Sequence, residues 1–383
     1  MKTRKNPVIL ATGRVTIRDI AERLNISHTT VSRSLANNPK ISDSMRNRVR
    51  TEARRSGYVA NAAARAIRTS SSQLAGIVIP NIKNDFYASV AKVIGERLSR
   101  NGLQLILCVT DDDPNRELSA IRALAESRAA GLVITLSSKP RAETLRLLAR
   151  LNAIQLVRVC RSLRAPAVVI DDERAVTVAT EHLISLGHRR LAYVGAHPHF
   201  SSGRDRLQGF RTTVAKHGLA TTAAISLGAP SPGFASSEVL QIMRAEIPPS
   251  GIVFASSELT LGGLQALGKI GKKYPDEVSV VGFGDPAWFG LAGSGISTVR
   301  LPEEEIGQAA ATCLIDEIGN TREPLPRKLP CMVFASTLIA RESSGPAPQL
   351  GDRPEHAQLI DAHRGAPARG LHESRPTSVQ LAR

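Results

Sequence analysis

Residues 15–35 read VTIRDIAERLNISHTTVSRSL, and this stretch decides the fold of the amino-terminal end. Ile17, Ile20, Ala21 and Leu24 recur at helical spacing and share one face. Asn25 stands where a tight turn needs a residue that tolerates positive φ, and Asn follows Gly in that tolerance. Ile26 then plugs back into the core of the pair. Ser27 can cap a second helix, because its hydroxyl accepts from the first free backbone N–H groups. That helix turns Val31 and Leu35 inward, four residues apart, and leaves His28, Thr29, Ser32 and Arg33 outward. An outward face made of hydrogen-bonding side chains is what reading base edges in the major groove requires. The plain alternative is an ordinary surface helical hairpin.

The flanking sequence argues for the groove reader. NNPKISDS leads to a cap at Ser42, and a third helix follows with Met45, Val49 and Ala53 one turn apart; Gly57 stops it and Tyr58 packs back. The net charge of the 383-residue chain is +16, and residues 1–70 hold 15 Lys or Arg against 4 Asp or Glu, a net +11. Charge concentrated in this way points to a polyanion, nucleic acid or an anionic membrane surface. No apolar run reaches the roughly 18–20 residues that cross a bilayer, which disfavours the membrane. The first 14 residues carry too short an apolar run for an export signal, so the expected location is cytoplasmic. Residues 61–73, NAAARAIRTSSSQ, can form a helix of only two turns from Asn61, too short to persist alone, and then a Ser-rich joint.

From Leu74 the texture changes to apolar strand-like runs alternating with amphipathic helices. Strands are expected at 74–80, 103–110, 131–136, 153–159, 167–172, 189–195, 251–256, 278–284 and 329–337. Doubly apolar strands alternating with helices imply parallel sheets covered on both faces, and the length suits two such α/β units. Ligands of open α/β sheets bind beyond the carboxyl ends of the strands, so a cleft between the units is the expected pocket. Residues 343–383, rich in Pro, Gly, Arg and His, read as a disordered tail without leucine heptads. Cys108, Cys160, Cys313 and Cys331 are widely spaced and make no CxxC pair, which removes a zinc or redox motif; Cys108, Cys160 and Cys331 lie in apolar runs and are expected in the core.

Taken together, DIAERLNISHTTVSRSLANNPKIS with the following GY and NAAARAI is similar to the DNA-binding part of the lac repressor (LacI/GalR) family. DDERAVTVATEHLISLGHRRLAYVG, RDRLQGF (204–210), VSVVGFGD (278–285) and ARES (340–343) extend the resemblance to about residues 15–342. It implies a basic arm (1–14), a helix-turn-helix headpiece (15–60), a hinge helix and linker (61–73), and a core of two subdomains (74–342). That core resembles periplasmic sugar-binding proteins, dimerises, and binds a small effector. The implied activity is sequence-specific binding of a pseudo-palindromic double-stranded DNA operator by a homodimer, as a repressor under effector control, with no cofactor, no metal and no catalysis. By the same resemblance His28, Thr29 and Arg33 read base edges, and Arg33 has the two donors that guanine accepts. Thr16, Ser27, Thr30 and Ser32 suit phosphates, and Asn61 and Arg65 match hinge contacts to the duplex. Ile67 matches an apolar wedge that kinks the minor groove, or packs its dimer mate.

For the effector, Phe86 and Tyr87 match an aromatic wall and Arg206 a ligand-binding arginine, with a surface salt bridge as its plainer reading. Ser256-Ser257 stands where the family has Asn-Asp, and Gly284 where it often has Asp, leaving Asp285 as the acid. Trp288 either stacks on a ligand ring or fills the core. Fewer carboxyl acceptors beside a retained arginine shift the expected effector toward an anionic ligand, such as a sugar acid or phosphate ester. His188, His197 and His199 lie close in sequence, but HPH at 197–199 suits a solvated loop better than a metal, and no nucleophile elbow or coherent catalytic set occurs. The rival reading is a cytoplasmic solute-binding protein on the same core with a non-functional headpiece.

Overall fold

The computed structural model describes residues 15–58, 72–319 and 331–348. The headpiece comprises α1 (Ile17–Leu24), α2 (His28–Leu35) and α3 (Asp43–Arg55). Thr16 caps α1 in a capping box with Asp19, and Ser27 and Ser42 cap α2 and α3. Asn25 takes the expected left-handed conformation (φ 53°, ψ 49°), which turns the chain between the first two helices. Ile20, Ala21, Val31, Val49 and Ala53 form the buried centre, with Ile26, Leu35, Met45 and Tyr58 packed around it. Ser34, on the inner face of α2, is also fully buried.

Two sheets follow, each described by itself. Unit 1 contains β1 (Leu74–Ile79), α4 (Asp85–Arg100), β2 (Gln104–Val109), α5 (Pro114–Glu126), β3 (Gly131–Ile134), α6 (Ala142–Leu148), β4 (Ala153–Leu156) and β5 (Ala167–Ile170). Unit 2 contains α7 (Asp172–Ser185), β6 (Leu191–Ala196), α8 (Ser201–Lys216), β7 (Ala224–Gly228), α9 (Pro232–Ile242), β8 (Gly251–Phe254), α10 (Ser257–Lys269), β9 (Ser279–Phe283) and β10 (Ser297–Arg300). The chain then returns to unit 1 for α11 (Glu303–Gly319) and β11 (Cys331–Phe334), and ends in unit 2 with β12 (Thr337–Ile339). The sheet orders are β11-β5-β4-β3-β1-β2 and β12-β10-β9-β8-β6-β7. Strands β1 to β5 pair in parallel, as do β6 to β10, and β12 is antiparallel to β10. The order 2-1-3-4-5 therefore occurs twice, each time with a doubly wound switch point.

Several expectations need correction. The run at 329–337 is not one strand: it divides into β11 and β12, which belong to different units. Strand β4 stops at Leu156 because Val157 adopts φ 63°, and β5 stops at Ile170 because Asp171 caps α7. Strands β7 and β10 had no counterpart among the expected strands. β10 is STVR, with too little apolar character to register, yet Ser297 and Thr298 are fully buried with their hydroxyls bonded to the Arg341 and Gly284 carbonyls. Cys331 is exposed rather than in the core, and Cys108 and Cys160 are half-buried at the core's margin.

The boundary at 343 also moves. Residues 343–348 form a strap on unit 2: the Ser343 hydroxyl donates to the Val280 carbonyl (2.8 Å), and the Gly345 and Ala347 amides donate to Ser279 Oγ and the Leu186 carbonyl. The expected disorder of the rest of the tail, 349–383, lies outside the described residues. Fully buried His188 donates from Nε2 to the Gly345 carbonyl (3.1 Å), while His182 meets Ser344 Oγ (2.8 Å). Burial holds both imidazoles below the ordinary histidine value of 6.5. The unfolded chain therefore takes up protons first as pH falls, and these groups withdraw stability below about pH 6.5. NMR titration should place both imidazole midpoints under 6.5; midpoints at or above it would contradict the buried strap.

Helix packing in unit 2 depends on close backbone approach. A Cβ at Gly209 of α8 would lie 2.2 Å from the Glu173 carbonyl oxygen of α7, and one at Gly262 of α10 would lie 2.1 Å from that of Pro232 in α9. Rigid backbone cannot yield as a flexible side chain would. Gly262→Ala should cost about 1–3 kcal/mol by chemical denaturation, and an unchanged midpoint would contradict this packing.

Candidate DNA-reading headpiece and effector-site residues

The headpiece presents one polar face. His28, Thr29 and Arg33 are exposed on α2, with Thr29 and Arg33 one turn apart. Val31 on the opposite side is fully buried and holds the helix by its inner face. Ser27 Oγ accepts from the Thr30 amide (3.1 Å) and meets Thr30 Oγ1 at 2.9 Å, so these two hydroxyls fix the start of α2. Thr16 Oγ1 donates to Asp19 Oδ2 (2.9 Å), and that carboxylate also accepts the Thr16 amide (2.7 Å). Those bonds hold Asp19 below the usual carboxylate range. Ser32 is half-buried beside the reading face. Asn61, Arg65 and Ile67 lie outside the described residues.

In unit 2 the strand ends gather around Arg206 of α8. Its Nε donates to Asp172 Oδ1 (2.6 Å), its Nη1 donates to the Ala255 carbonyl (2.7 Å), and its guanidinium lies 4.0 Å from the centre of the Phe283 ring. The plainer reading of a surface salt bridge fails, because the side chains are 14% and 4% exposed. Burial raises the Asp172 carboxyl to about 6, and Arg206 opposes that rise. Sequence reasoning missed Asp172; the signal available was an acid opening a helix directly after a strand.

The other expected contacts are engaged within the protein. Ser256 Oγ caps α10 by accepting the Leu259 amide (3.2 Å). Asp285 accepts a fork from Arg341, with Nη1 and Nη2 at 2.8 and 3.0 Å. Arg341, within the ARES motif, was not singled out from sequence. Gly284 adopts φ 82°, a conformation that suits glycine and explains the missing side chain there. Trp288 sits half-buried on a short 3-10 turn, Ala287–Gly290, edge-on to buried Phe289 at 4.4 Å.

In unit 1, Phe86 and Tyr87 open α4 behind the Asn84 cap and pack edge to face, 5.3 Å apart. Both are nearly buried, at 7% and 8% exposure. At the carboxyl ends of β2, β3 and β4, Arg158 grips both carboxylate oxygens of Asp112 and donates to the Leu136 carbonyl (3.1 Å). Behind it Glu117, fully buried, accepts the Ser137 amide (2.6 Å), and burial pushes its carboxyl up. None of Arg158, Asp112 and Glu117 stood out in the sequence, because Arg158 lies 41 or more residues from both acids and Asp112 sits in an ordinary turn before α5. Each unit thus places one arginine, fastened by one aspartate, where ligands of doubly wound sheets bind. Among the described residues no group of three His, Cys, Asp or Glu could hold a metal, and His197 and His199 stack on each other at 4.9 Å. No described helix is long and apolar enough to cross a membrane.

A three-helix headpiece ahead of two doubly wound units fits the architecture of a DNA-binding regulator. Residues 16–61 match the bacterial regulatory proteins of the lacI family, and residues 180–344 match the periplasmic binding protein-like domain. The chain is 30% identical over 353 residues to the HTH-type transcriptional regulator MalR of Streptomyces coelicolor, covering 88% of this chain and 98% of that one. It is 26% identical to the HTH-type transcriptional regulator GalR of Escherichia coli, covering 86% and 95%. The lac repressor dimer bound to operator and the anti-inducer ONPF superposes with a TM-score of 0.74 at 20% identity, over 87% of this chain and all of that one. The chain belongs to the LacI family of DNA-binding transcriptional regulators.

Proposed function

We propose that this regulator is a repressor that binds a pseudo-palindromic operator as a homodimer and answers to a small sugar-like effector. The observation that carries the DNA half is the exposed His28–Thr29–Arg33 face on a helix capped by Ser27 and anchored by Val31. Arg33 takes the base-specific role, with His28 and Thr29 as shorter readers. Thr16, Ser27, Thr30 and Ser32 contribute phosphate contacts that set register, and Asn61, Arg65 and Ile67 act in the hinge. The dimer is supported by the solved lac repressor dimer on its operator. Two-fold symmetry in the protein then matches two-fold symmetry in the site.

Arg206–Asp172 in unit 2 and Phe86 and Tyr87 in unit 1 are the effector-site groups best placed at the carboxyl strand ends, with Trp288 as a further ring. Ser256 and Asp285 serve through the cap and the Arg341 fork that shape the same ends. Because Asp172 already meets the charge of Arg206, and the Arg206 Nε and Nη1 are engaged within the protein, the remaining Nη2 donor and the second Asp172 oxygen suit a neutral hydroxyl better than a second anion. An effector shifts DNA affinity only through its differential affinity for two states of the protein. Thermal shift against neutral monosaccharides, sugar acids and sugar phosphates tests this half. A rise for a neutral sugar that disappears in Asp172→Asn is the expected result. Stabilisation by anionic sugars alone would overturn the neutral assignment.

A further inference from the structure

Unit 1 carries a row of arginines that neither the headpiece nor the effector-site residues use. In a parallel sheet every loop that enters a strand lies on the same edge. At the amino edge of unit 1, Arg100 stands at the entry to β2, Arg128 at β3, Arg150 at β4 and Arg164 at β5. All four side chains are exposed, and none makes an ion pair or side-chain hydrogen bond with a described residue. The described acids by this edge are Glu96 one turn before Arg100, Glu126 at the end of α5, and Asp316 and Glu317 near the end of α11, and none of them makes an ion pair with the four arginines; the loop after β2 at the opposite edge holds Asp111, Asp112 and Asp113.

Helix dipoles explain part of the pattern, since Arg100 ends α4 and Arg128 and Arg150 lie just past α5 and α6. They do not explain why none of the four is paired with the acids nearby. In unit 2, which has the same strand order, the corresponding edge is mixed: Arg190 donates to the Pro248 carbonyl, Lys216 pairs with Glu181 and Lys272 with Glu277, while Arg244, Lys269 and Lys273 are exposed.

The arginine edge is also where the chain arrives from the headpiece. The Ser72 amide and hydroxyl both donate to the Arg128 carbonyl, immediately before β1. Fourteen peptide steps separate Ser72 from Tyr58, the last described headpiece residue, and these span at most about 50 Å when fully extended. Duplex DNA held by the headpiece presents a phosphate every 1.7 Å or so of axis, so many phosphates lie within that tether.

We infer that the amino edge of unit 1, through Arg100, Arg128, Arg150 and Arg164, is a second, sequence-independent phosphate-binding surface that engages duplex DNA alongside the headpiece. Exposed guanidiniums without carboxylate partners keep their forks available for phosphate, and no base is read.

The test uses the full chain and a 60-base-pair duplex of random sequence, with affinity followed by anisotropy across a salt series. Each lost phosphate contact makes the slope of log K against log salt shallower by about 0.9. The variant carrying Arg100→Gln, Arg128→Gln, Arg150→Gln and Arg164→Gln should be shallower than wild type by about 2–4. A second variant removes four exposed cations of unit 2, through Arg244→Gln, Lys269→Gln, Lys273→Gln and Arg300→Gln, and should keep the wild-type slope. An unchanged slope in the first variant, or an equal loss in both, overturns the inference. So does an unchanged DNA slope accompanied by lost binding to polyglutamate, which would assign the edge to an acidic protein. A lower melting temperature with an unchanged slope would reduce the arginines to helix-end stabilisers and overturn it as well.

Discussion

Arg206→Ala is expected to lower folding stability by about 3–5 kcal/mol at pH 8, because it leaves a buried carboxylate without its cation. The expected loss follows from particular bonds. Arg206 meets Asp172 through Nε and the Ala255 carbonyl through Nη1, and it covers Phe283. Removing it strands an acid that is 4% exposed. Asp172 already sits at about 6 with the guanidinium present, and without it the carboxyl moves higher still. An acid whose folded pKa exceeds its unfolded value adds stability at low pH and loses it as pH rises through the folded pKa. The deficit of Arg206→Ala should therefore shrink towards pH 5.5, where Asp172 is protonated, and grow towards pH 8. Chemical denaturation at the two pH values measures this. A deficit independent of pH would separate Asp172 from the effect. Arg206→Lys should restore the charge but not the geometry, since an ammonium cannot reach carboxylate and carbonyl as a planar fork does.

Arg33→Ala is expected to weaken specific DNA binding by about 5- to 150-fold per half-site, the range of one lost bidentate base contact. Folding should be untouched, because Arg33 is exposed and the headpiece core rests on Ile20, Val31 and Val49. The salt dependence should stay close to that of wild type, since the lost contact is to a base rather than a phosphate. A variant that loses affinity equally for operator and unrelated duplex would move Arg33 to a backbone role.

The headpiece was legible in the sequence almost residue by residue. Its signals are local: Asn25 at the turn, serines at 27 and 42 before helices, and apolar residues one turn apart. The parallel sheets were legible through runs such as LAGIVIP, whose side chains are buried on both faces. What escaped depended on contacts across the chain. STVR became a strand because Ser343 and Arg341, more than forty residues on, satisfy its polar groups. The two crossings back between units after residue 302 leave no trace in an alternation of strands and helices. The effector-site groups showed the same limit from the other side. Arg206 was visible as a motif residue, but Asp172, 34 positions earlier, supplies its partner. Asp285 looked like a free acceptor until Arg341, 56 positions later, was found across it.

The measurement that tests the central claim most directly is selection of duplex DNA from a random pool by the full-length protein, repeated with Arg33→Ala. The account predicts enrichment of a two-fold symmetric consensus by the wild type and its loss in the variant. Enrichment of no consensus, or of the same consensus by both proteins, would contradict the assignment of α2 as the reading helix.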